Sequence, residues 1–85
     1  MDPTPEAELI LGLIRHYDFH WAEWAHDPAV DAEVRELVAG GCTQEDYTHA
    51  VDRWSGETSP HDAWPVIRAH MPDCRDRRQQ RERSH

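Results

Sequence analysis

Ile10, Ile14, Tyr17, Trp21 and Trp24 follow one another at steps of 4, 3, 4 and 3. That spacing places apolar side chains on one face of an α-helix. Leu13 and Ala25 widen the stripe, while Gly12, Leu11 and Phe19 fall off it. The stripe predicts a first helix of about 20 residues. Thr4 would cap it, and Pro5 would take the first helical position, where its missing N–H costs nothing. No stretch of the chain shows the period-two alternation of a strand.

Local signals divide the rest. Asp27-Pro28 ends the first helix and starts a second, with Asp27 as cap. Val30, Val34, Leu37 and Val38 give its buried face, and Gly40-Gly41 end it. Thr43 opens a third helix, with Asp46 three residues on in a capping-box pattern. Tyr47, Ala50, Val51 and Trp54 form its inner face, and Ser55-Gly56 closes it. A fourth helix is expected over 63–71, with Asp62 as cap, Pro65 in the first turn, and Trp64, Ile67 and Met71 inward. Pro72 is expected to end it, since a proline inside a helix costs about 3 kcal/mol. The fold class is therefore all-α: a small four-helix domain over residues 1–72, followed by a basic tail over 73–85. The tail has no apolar side chain except Cys74, so it is expected to be disordered or a solvated helix.

Charge separates along the same line. The chain of 85 residues carries a net charge of −8 and contains arginine but no lysine. Residues 1–73 hold 15 acids and four arginines, a net −11; residues 74–85 hold five arginines and two acids, a net +3. The body therefore disfavours nucleic acid and favours basic protein surfaces. The tail arginines, Arg75, Arg77, Arg78, Arg81 and Arg83, are the candidates for phosphate contacts. Protonating all seven histidines would bring the charge to −1; acid-dependent behaviour is thus expected between about pH 5 and 7. The exclusive use of arginine fits GC-rich coding, and with it a phage or mobile-element origin. No apolar run reaches the roughly 18–20 residues of a membrane span, and no leader pattern opens the chain. Two cysteines make no disulfide framework, so a reducing cytoplasm is the expected location.

Motifs for chemistry are few. His16, His20 and Glu23 share a helix side at metal-ligand spacing, but lack the H-E-x-x-H pattern. Cys42, His49, His70 and Cys74 would make a Cys₂His₂ set without the tight Cys-x₂-Cys knuckle. No phosphate loop or nucleophile elbow is present. No catalytic residue, cofactor or metal is expected, and the chain reads as a non-enzyme. Phe19, outside the core stripe and flanked by Arg15, Glu23 and His26, is the candidate binding hot spot; its alternative uses are packing on the C-terminal segment and self-association. Glu45 and Asp52 on the third helix are candidate acidic contacts. The leading expectation is a protein-binding regulator or inhibitor acting on a basic surface of a host protein. The alternative is a nucleic-acid-binding or transcription-associated protein. It would use the helix, glycine turn and helix of residues 30–54 as a helix-turn-helix. Its outward set, Gln44, Glu45, Thr48, His49, Asp52 and Arg53, is rich in acids.

Overall fold

A computed structural model describes residues 4–56 and 58–83. All regular structure among them is helical. Four α-helices run in the order α1 (Thr4–Leu13), α2 (Pro28–Ala39), α3 (Gln44–Trp54) and α4 (Ala63–Arg83). Between α1 and α2 lie a π-helical turn, Ile14–Asp18, and a 3₁₀ turn, Glu23–His26; a second 3₁₀ turn, Pro60–Asp62, leads into α4. Helix α1 packs on α2 and α3, and α3 lies along α4. No helix among the described residues is long and apolar enough to cross a membrane.

The capping chemistry behaves as its residue types dictate. Asp27 accepts the Ala29 N–H at 2.9 Å, with Pro28 opening α2. Gly41 ends the α2–α3 turn at φ +106, a left-handed conformation that costs a glycine little. At α3 the Thr43 N–H donates to Asp46 Oδ2 at 2.9 Å, and the Asp46 N–H meets Thr43 Oγ1, completing the capping box. Glu6 reaches across from α1 to accept the Gln44 N–H. This places a carboxylate at the positive end of α3.

The first helix is shorter than its spacing predicts, and the difference has a local cause. The Phe19 N–H donates to the Ile14 carbonyl at 2.9 Å, five residues back. This wider turn inserts one residue into the helical register. The buried series then runs Ile14, Phe19, Ala22, Ala25 instead of Ile14, Tyr17, Trp21, Trp24. Tyr17 and Trp21, expected inside, are 74% and 50% exposed. Leu11 and Phe19, expected outside, are buried at 4% and 2%.

The second correction concerns Pro72, which lies inside α4 rather than ending it. The core stripe carries on through it. Trp64, Ile67, Met71 and Cys74 are all buried, and Arg78 follows Cys74 at the next step of 4. Packing on α3 therefore outweighs the one lost backbone bond. Residues 73–83, expected to lack a buried face, bury Cys74 and cover the α2–α3 turn with arginines. Positions 84 and 85 of the expected tail lie outside the described residues.

Candidate functional site

Phe19 is the pivot of the exposed end of the bundle. Its ring sits 4.8 Å from that of Trp24 and 5.4 Å from that of Trp54, centroid to centroid. Trp24 in turn stacks on Trp64 at 5.7 Å. This aromatic cluster pins the irregular segment 19–26 to the core. Polar bonds fix it further. Trp24 Nε1 donates to the Pro60 carbonyl at 3.2 Å, and Arg15 Nε donates to the Ala25 carbonyl at 3.0 Å. Tyr47 donates its hydroxyl to Asp18 Oδ2 at 2.9 Å. Burial and the adjacent Asp18 carboxylate push the Tyr47 phenol above its ordinary range.

The expected hot spot is thus a core residue, and its flanking groups have other partners. Arg15 faces inward to Ala25 and Asp31. His26 Nε2 lies 3.3 Å from the His20 carbonyl, while Glu23 is exposed. What this end of the molecule presents instead is Tyr17 and Trp21, with His20 and His61. The Trp21 and His61 rings meet edge to face at 5.5 Å, and His20 Nδ1 lies 3.4 Å from the Tyr17 carbonyl. No sequence signal marked the register change: neither proline nor glycine interrupts residues 13–27.

The tail arginines meet carboxylates and carbonyls of the same chain. Arg78 donates to both oxygens of the buried Asp46, at 3.1 and 3.2 Å, and to the Gly41 carbonyl at 2.9 Å. Arg75 donates to the Gly40 carbonyl and to Asp76. Arg77 pairs with Asp73, and Arg81 with Glu45. Elsewhere Arg35 and Arg15 share Asp31, Arg53 pairs with Asp73, and Arg68 pairs with Glu33. The Arg35 guanidinium holds the Asp31 carboxyl below its ordinary range, and Arg53 does the same to Asp73.

An open groove of about 350 Å³ runs between α3 and α4, lined by His49, Asp52, Arg53, Cys74, Arg77 and Arg81. Glu45 lies 3.6 Å from His49 and 3.7 Å from Arg81, two of the lining residues. The groove therefore holds one of the candidate acids, Asp52, with two of the tail arginines, Arg77 and Arg81. Its cationic groups already face carboxylates.

The weaker metal candidates are dispersed. His16 and His20 are exposed, whereas Cys42 and Cys74 are free thiols in the interior. Among the described residues no group of three or more His, Cys, Asp or Glu is arranged to hold a metal ion. Burial pushes the Cys42 thiol up to about 11, and it raises Cys74 as well. Both are therefore poor nucleophiles near neutral pH. Comparison with protein-family models, curated proteins and solved structures finds no match to this chain.

Proposed function

We propose that the protein is a non-enzymatic, protein-binding regulator or inhibitor whose acidic helical body engages a basic surface of a partner. One observation carries the reading. Arg15, Arg35, Arg53, Arg68, Arg75, Arg77, Arg78 and Arg81 each meet a carboxylate of the same chain. The positive charge is thus largely spent within the fold, and the surplus of −8 is carried outward by acids. Exposed Glu8, Glu23, Asp27, Glu36, Asp52 and Asp62 are spread over the helices and turns that form that surface. A field of this sign speeds encounter with basic partners and repels nucleic acid.

The nucleic-acid alternative draws less support. Arg75 and Arg78, two of its five tail contacts, are turned onto the α2–α3 turn.

The test is the ionic-strength dependence of binding to an arginine-rich peptide, followed by calorimetry. Affinity should fall steeply between about 0.05 and about 0.5 M salt, as screening shortens the reach of the field. Binding that is unchanged over that range would overturn the acidic-surface mechanism.

A further inference from the structure

We propose that the end of the bundle bearing Tyr17 and Trp21 is the docking surface for an arginine- or lysine-rich segment of the partner. The two rings would receive the alkyl stems and cationic heads of its side chains. The inference rests on the acidic-binder reading and gives it a location.

The first observation is exposure. Among the described residues, Leu9, Tyr17 and Trp21 are the large apolar side chains left in water, at 54%, 74% and 50% exposed. Two of the three, Tyr17 and Trp21, fall at and just after the register change that follows α1. A helix continued without that change would have turned both rings into the core. The fold instead spends Phe19 on the core and leaves the larger amphipathic rings outside. Tyr and Trp are the side chains most often found as binding anchors, since each offers a wide apolar face with few rotatable bonds.

The second observation is rigidity. The segment carrying these rings is held from beneath by Phe19 packed on Trp24 and Trp54. It is held from the sides by the Trp24–Pro60, Arg15–Ala25 and Tyr47–Asp18 hydrogen bonds. Trp21 itself leans edge-on against His61. A surface fixed before contact loses little conformational freedom on binding.

The third observation is charge. The two segments forming this end, residues 16–27 and 58–62, contain Asp18, Glu23, Asp27 and Asp62 and no arginine. All four carboxylates are exposed. Aromatic faces beside carboxylates attract a cation twice over, through the ring quadrupole and through direct ion pairing. The same carboxylates oppose a nucleic acid. They also oppose a second copy of this chain, which would bring −8 against −8.

The experiment titrates a short peptide of alternating Arg and Ser into the intact protein, with an alternating Asp and Ser peptide and a short DNA duplex as comparison ligands. Tyr17→Ala and Trp21→Ala remove the proposed anchors; Leu9→Ala removes an exposed apolar side chain from α1 instead. Circular dichroism verifies that each variant keeps its helices. The proposal expects the Arg peptide to bind, with each of Tyr17→Ala and Trp21→Ala losing about tenfold in affinity and Leu9→Ala changing it by less than about twofold. Unaltered affinity in both Tyr17→Ala and Trp21→Ala would overturn this surface and leave the acidic-binder reading standing. Failure of the wild type to bind the Arg peptide would overturn both, as would preference for the acidic peptide, the duplex or a second copy of itself.

Discussion

Arg78 carries its guanidinium onto both carboxylate oxygens of Asp46, a fully buried acid in the first turn of α3. The same carboxylate accepts the Thr43 N–H, and the same guanidinium reaches the Gly41 carbonyl. One ion pair thus joins the far half of α4 to the α2–α3 turn. Arg75, one turn earlier, satisfies the Gly40 carbonyl beside it. A buried charge is tolerated only when paired and hydrogen-bonded, so each partner is costly to remove alone. Arg78→Ala should lower stability by about 3–5 kcal/mol, because Asp46 stays behind with one donor. Arg78→Lys should recover only part of this, since an ammonium cannot fork across two oxygens. Urea denaturation measures both. A double replacement of Asp46 and Arg78 by leucine should cost less than the sum of the single losses.

Phe19 and Tyr17 make a matched pair of probes for the register change. Phe19→Ala empties the centre of the aromatic cluster and should cost about 3–5 kcal/mol. Tyr17→Ala touches a side chain that is mostly in water, and should fall within about 0.5 kcal/mol of the wild type. A regular helix through residue 24 would give the opposite order. Thermal or urea denaturation of the two variants decides between them.

Pro72 offers a test of the sign of a single residue. Inside α4 it lacks the N–H that would bond the Arg68 carbonyl, and its ring crowds that carbonyl. Pro72→Ala should therefore raise stability, by about 2 kcal/mol after allowing for the freer unfolded chain. A fall in the midpoint would mean that α4 does not run through this position.

Cys42 gives the alkaline limit. Its thiol is raised from an ordinary value of 9.0 to about 11 by burial, with the nearby Asp46 carboxylate adding to the shift. The folded state thus holds this proton more tightly than the unfolded state does. The corresponding stability is fully present below about pH 9, the ordinary value, and is lost as pH rises towards 11. Denaturation midpoints should decline across that window, and less so in Cys42→Ala. In the native protein at neutral pH a thiol reagent should label Cys42 far more slowly than after unfolding.

Short-range signals were legible in the chain; long-range ones were not. Asp27-Pro28, Gly40-Gly41 and the Thr43–Asp46 box act within four residues, and the structure shows each acting as its chemistry predicts. The register change at Ile14–Asp18 was invisible, because what holds it lies elsewhere. Phe19 needs Trp54, 35 residues on, and Asp18 needs Tyr47, 29 residues on. The helical run past Pro72 had a trace in the sequence. Trp64, Ile67, Met71, Cys74 and Arg78 continue one stripe at steps of 3, 4, 3 and 4. The local helix-breaking signal of Pro72 opposes that stripe, and packing on α3 overrides it. The candidate site moved for the same reason as the helix. One inserted residue puts Phe19 in the core and leaves Tyr17 and Trp21 outside it.

The most direct measurement follows the indole N–H resonances of the four tryptophans while the Arg and Ser peptide is added. Trp54 and Trp64 lie in or against the core, with Trp64 Nε1 bonded to Glu33 at 3.0 Å, whereas Trp21 is half in water. The account predicts that the Trp21 resonance shifts with peptide concentration, that salt reverses the shift, and that Trp54 and Trp64 stay in place. A Trp21 resonance that stays fixed while the peptide binds would contradict it.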